Sequence, residues 1–138
     1  MKKVLAIISI LSIIFLVGCV SSFSWSYFEE SYGNAGYVCQ EKYDDKDMCL
    51  EISEKIEDRI HLVFSETVDL EVIKFEKYVK DINRIIYAIE FEDKSQAKLV
   101  GDYDKASEPN EWLMCRYGKV LLLTNDIITS RIIDLTFE

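Results

Sequence analysis

Apolar positions along the chain change period several times, and each period predicts an element. Cys49, Ile52, Ile56, Ile60 and Val63 recur every three or four residues from Asp45 onward, which places them on one face of a helix. Asp44, Asp45 and Asp47 stand where the helix dipole favours negative charge, with Asp45 or Asp47 as the cap. Glu51 and Lys55 are spaced to pair on its outer face. Over 66–82, Val68, Leu70 and Val72 alternate like a strand, but Lys74 and Glu76 break the alternation. Val68, Val72, Phe75, Val79 and Ile82 fit helical spacing, acidic residues come early and Lys77 and Lys80 late, so the pattern predicts a helix capped by Ser65 or Thr67. Residues 84–92 alternate cleanly through Ile85, Tyr87, Ile89 and Phe91, a strand. Asp93 or Ser95 opens a short helix through Ala97, Leu99 and Val100, followed by a loop closed by Pro109. Residues 112–116 and 119–124 read as two strands joined at Tyr117-Gly118. Asn125 or Asp126 caps a last helix through Ile128, Ile132 and Leu135, although Ile133, Leu135 and Phe137 also alternate as an edge strand would. The expected architecture is α+β: a small, mainly antiparallel sheet of about three to four strands with helices packed on one face, in a single domain.

The amino terminus follows a different logic. Lys2 and Lys3 precede a run, Val4 to Val17, that is apolar except for Ser9 and Ser12. Its 14 residues are short for a transmembrane helix and right for the core of a signal peptide. The run closes on Leu16-Val17-Gly18-Cys19, which resembles the lipobox of bacterial lipoproteins. The resemblance implies cleavage before Cys19, lipidation of the Cys19 thiol, and a domain held to a membrane of the bacterial cell envelope, outside the cytoplasm. An uncleaved signal anchor places the domain on the same side. The chain then divides into a signal peptide (1–18), a Ser-, Gly- and aromatic-rich tether (19–36) and one α+β domain (37–138). In the tether, Phe23, Trp25 and Tyr27 alternate as in a short strand. Five aromatics in all do not fit an inert linker. They dock on the domain, sit at the membrane interface or contact a partner.

Processing sharpens the charge. Without Lys2 and Lys3 the 16 basic residues become 14 against 25 acidic ones, a net of −11. No patch that neutralises phosphates can be assembled from such a surface, so nucleic acid is not an expected partner. A protein partner with a basic surface is. Three cysteines remain beside Cys19, in a compartment that permits disulfides. A continuous helix over 39–49 would hold Cys39 and Cys49 roughly 15 Å apart. The polar run 42–47 reads instead as a loop, which favours a Cys39–Cys49 bond with Cys115 left on a buried strand. Cys49–Cys115 is the competing pair, and Cys39–Cys115 or no bond also stays open.

Catalytic patterns are sparse. His61 is the single histidine and no nucleophile is identifiable beside it. Cys39, Cys49, His61 and Cys115 lack the short spacing of a zinc site. Asp45 and Asp47 suggest calcium, but Leu50 stands where the EF-hand loop needs Gly. No Cys-x-x-Cys, phosphate loop or nucleophile elbow occurs, so no cofactor or metal is expected. The expectation is a non-catalytic lipoprotein that binds a protein, as an accessory subunit or an inhibitor or immunity protein. A small-ligand- or metal-binding lipoprotein is the alternative, with a small envelope enzyme behind it.

Overall fold

The computed structural model describes residues 23–106, 112–129, 131 and 133. The lipobox with Cys19, Pro109, and the end of the chain with Ile132, Leu135 and Phe137 lie outside them. In chain order the elements are α1 (Trp25–Asn34), β1 (Val38–Tyr43), α2 (Lys46–Phe64), β2 (Val72–Asp81), β3 (Arg84–Phe91), α3 (Lys94–Ala106), β4 (Leu113–Tyr117) and β5 (Val120–Thr124). Residues 127–129, 131 and 133 are helical as well. The strands form one antiparallel sheet in the order β1-β2-β3-β5-β4.

The α+β class stands, with five strands, and helices cover both faces of the sheet rather than one. Alternation along the strands divides the two cores. Phe75, Ile89, Phe91 and Leu121 pack with α2 and α3. Tyr78, Ile86, Ala88, Val120 and Leu122 pack with α1 and Ile133. Asp45 caps α2 by accepting from the Met48 amide at 2.9 Å. Ser53 then ties α2 to β2: its hydroxyl accepts from the Val72 amide at 2.9 Å and donates to the Cys49 carbonyl at 3.1 Å.

Three further expectations are corrected. The segment carrying Phe23, Trp25 and Tyr27 is not a strand. Ser24 caps a helix in which Trp25, Phe28 and Tyr32 follow each other at helical spacing, and Phe28 and Tyr32 are buried. Gly36, at φ +90°, turns the chain out of α1, a conformation that side chains with a Cβ rarely adopt.

The second correction falls at 66–82. Ser65, in the left-handed region, ends α2, and the stretch from Val72 is a strand, not a helix. Register shifts between Val72 and Lys74 and between Val79 and Asp81 break the alternation. Lys74 and Glu76, whose charges interrupt the apolar alternation, both face α1.

The third concerns the cysteines. Residues 42–43 extend a strand instead of forming a loop, so β1 carries Cys39 away from α2. Cys39 is exposed, and Cys49 is buried at the start of α2, where its thiol donates to the Tyr43 carbonyl. Cys49 and Cys115 belong to cores on opposite faces of the sheet. No pair among Cys39, Cys49 and Cys115 forms a disulfide. Burial pushes both the Cys39 and the Cys49 thiols up. In native protein above neutral pH, a maleimide is expected to label Cys39 alone of these two. Mass mapping that finds Cys49 labelled equally fast would contradict its position under β1.

Candidate functional site

An extended cluster of charged side chains lies between α1 and the sheet. Four strand positions and one turn bring it together. Lys42 of β1 is opposite Glu76 of β2, Lys74 is opposite Glu90 of β3, and Lys119 precedes β5. From above, α1 presents Trp25 and Glu29, one helical turn apart.

Glu76 is completely buried. One carboxylate oxygen faces Lys42 at 2.9 Å and Lys74 at 3.3 Å, and the other accepts from the Tyr78 hydroxyl. Burial, and then that hydrogen bond, push the Tyr78 phenol far up, so it remains a neutral donor. Lys42 also holds Glu29 at 2.8 Å. This hydrogen bond is the main reason the Glu29 carboxyl lies below the usual carboxylate value. The Lys74 ammonium sits 3.9 Å from the centre of the Trp25 ring, and the indole N–H donates to Glu90 at 2.7 Å. Glu90 is paired in turn with Lys119 at 3.0 Å.

Three lysines thus face three carboxylates. Every carboxylate here already holds a cation, so the arrangement is built as a clamp on α1. It offers no spare base and no unbalanced charge for a substrate. Beyond Trp25 the clamp opens on a cleft of about 610 Å³, lined by Phe23, Trp25, Tyr117, Lys94 and Lys119 among others. On the other face, α2 and α3 leave an apolar cavity of about 80 Å³ beside Ile60, Phe64, Val100 and Tyr103.

The expected contact residues are divided by the structure. Trp25 is turned inward as the keystone of the clamp. Phe23 packs against Trp25, Phe28 and Tyr117, with ring centres 5.1 to 6.1 Å apart. Tyr27 is on the exposed side of α1. Trp25→Ala is therefore expected to lower unfolding stability by about 2 kcal/mol, and Trp25→Phe by less, in urea denaturation. An unchanged midpoint in Trp25→Ala would mean that the indole does not clamp α1. His61 is exposed on the last turn of α2, where its backbone carbonyl accepts from the Ser65 amide that ends the helix. Among the described residues no group of three or more His, Cys, Asp or Glu side chains is placed to hold a metal ion.

Sequence reading missed a second feature, which is apolar. Five described large hydrophobic residues are more than 60 % exposed: Ile82 (87 %), Leu62 (83 %), Ile128 (69 %), Ile127 (65 %) and Val38 (65 %). All but Leu62 are at one end of the sheet. Ile82 is at the β2–β3 turn, and Val38 opens β1 opposite Val79. The 125–129 segment is tied to the same end by the Ile85 amide donating to Asn125 at 2.9 Å, and by Tyr37, whose hydroxyl meets Thr129. An isoleucine between Asp81 and Asn83, where a turn favours small polar residues, was the one available signal. Comparison of the chain with known protein families, with characterised proteins and with solved structures finds no match.

Proposed function

We propose that this chain is a membrane-anchored envelope lipoprotein that binds a protein partner, as an accessory or inhibitor-type subunit, without catalysing a reaction. The observation that carries the reading is the exposed apolar end formed by Val38, Ile82, Ile127 and Ile128. Four such side chains at one end are more than the single exposed apolar residues of an ordinary surface. Charge supports the same reading. Residues 44–71 hold ten acidic and three basic residues, so the surface around α2 steers a basic partner toward the protein. The lipobox supplies the attachment. Among the described residues no helix is long and apolar enough to cross a membrane.

A photo-crosslinking residue at Ile82 or Ile128, in intact envelopes, is expected to trap one discrete protein, whereas the same residue at Glu54 on the outer face of α2 does not. Ile82→Arg and Ile128→Arg are each expected to weaken that partner's affinity about tenfold or more without shifting thermal unfolding. Association should slow as salt rises. His61→Ala should leave function intact. Loss of function in a folded His61→Ala protein would replace the binding reading with a catalytic one. Unchanged affinity in both arginine variants would remove the apolar end as the contact.

A further inference from the structure

The distance between Cys19 and the first docked residue is short enough to orient the domain. Phe23 is already part of the core on the α1 face, and only three residues separate it from Cys19. Whatever path they take, the two Cα atoms lie within about 14 Å of each other. The sheet is longer than that: the eight residues of β3 span about 24 Å from end to end. Phe23 sits at one end of it. Its ring packs on Tyr117, next to the Gly118 turn, and the cleft it lines continues to Glu92, Asp93 and Lys94 at the start of α3. Ile82 is at the opposite end.

We infer that the Phe23–Gly118 end of the sheet rests on the phospholipid surface that holds the Cys19 acyl chains, so that the apolar Ile82 end faces the aqueous compartment. The inference rests on the lipoprotein reading. Inverting the domain would require Phe23 to stand about a full strand length from the bilayer, beyond the reach of its tether.

The chemistry of the two corners at the lower end fixes the contact more closely. At the β5–β4 corner, Phe23, Trp25 and Tyr117 line a cleft that opens toward the headgroup level, where aromatic rings are favoured. Lys94 and Lys119 stand beside them, balanced by Glu90, Glu92 and Asp93 in the same cleft, so the aromatic rings and not charge make this contact. The β1 corner carries Asp44, Asp45 and Asp47, which an anionic or phosphate-rich surface repels. The domain therefore leans on its β5–β4 corner, with the start of α2 lifted away. A partner approaching from solution then meets both the acidic α2 flank and the apolar far end.

The native side chains report on this arrangement. Trp25 is at the proposed contact. Trp112 precedes β4 at the far end, and its ring packs at a tilt against Tyr87 on the opposite face of the sheet, with centres 5.4 Å apart. Cys39, exposed, lies toward the far end of β1. Full-length lipidated protein in phosphatidylcholine vesicles, with bromine on the lipid chains close to the headgroups, gives the test. In Trp112→Phe the remaining Trp25 emission is expected to fall roughly twofold relative to unbrominated vesicles. In Trp25→Phe the remaining Trp112 emission should be nearly unchanged. A fluorophore on Cys39 of otherwise wild-type protein should also be unquenched, and this arm stands even if Trp25→Phe fails to fold. Equal quenching at the two ends, stronger quenching of Trp112 or Cys39, or none at Trp25 would overturn the orientation while flotation with the vesicles leaves the anchor intact. Metabolic labelling with a fatty acid separates the remaining case. Wild type should be labelled and Cys19→Ser should persist as an unlabelled, longer precursor. Equal labelling of the two, or none in wild type, would overturn the anchor and the orientation together.

Discussion

Phe28→Ala is expected to destabilise the domain by about 4 kcal/mol, the cost of emptying a large buried aromatic site that cannot collapse. Phe28 has no exposed surface and its ring lies 4.7 Å from Tyr32, 5.2 Å from Tyr78 and 5.5 Å from Phe23. Those neighbours come from α1, from β2 and from the residue before the helix cap. Removing the ring therefore loosens the aromatic contacts that seat α1 on the sheet. Phe28→Leu keeps most of the volume and should cost clearly less. Urea denaturation of both variants gives the numbers. A loss below about 1 kcal/mol for Phe28→Ala would mean that α1 is a tether lying on the domain and not part of its cooperative unit.

Glu76→Ala is the second large effect, about 3 kcal/mol. The substitution leaves the Lys42 and Lys74 ammonium groups facing each other's positions without the carboxylate that neutralises both. Lys42 is half exposed and can turn to water. Lys74 is largely covered and keeps only Glu29 and the Trp25 ring, so the loss lies at the lower end of what breaking a buried pair costs. A change below about 1 kcal/mol would show that the lysines are solvated without it.

The same cluster has an acid limb. The Glu29 carboxyl is lowered, chiefly by its hydrogen bond to Lys42. A lowered carboxylate stabilises the fold above its unfolded value and loses that contribution as pH falls through its folded value. Acid below the ordinary 4.5 of a glutamate should therefore loosen α1 in wild type, and Glu29→Gln should shorten that limb of the pH–stability curve.

How much of this was legible in the residues depends on where each element buries its polar groups. α2 shows an amphipathic period of five apolar positions because one face meets water, and β3 and β5 show apolar alternation or runs because the sheet is covered on both sides. β2 hides its nature. It buries Glu76 and half-covers Lys74, so its charges mimic the polar face of a helix, and two register shifts remove the two-residue period. β1 is an edge strand with four of its six residues exposed and none buried, so its apolar signal is weak. α1 was open to reading through Ser24, Trp25, Phe28 and Tyr32. The neighbouring alternation of Phe23, Trp25 and Tyr27 competed with it, and its flanking Ser and Gly residues resemble a linker. The clamp was not legible because its charged members are scattered from Glu29 to Lys119, with up to 45 positions between the partners of one ion pair, and are joined only by strand register and the seating of α1.

That separation in sequence has a temporal consequence. Trp25 meets Glu90 across 65 positions, and Tyr37 meets Thr129 across 92. α1 emerges early in chain order, yet its seat is finished only when β5 and the 125–129 segment are in place. Contacts that close such long loops form late. A nascent chain therefore holds Phe28 and Tyr32 incompletely covered until nearly all of it has been made. Until then α1 has no finished surface on which to seat.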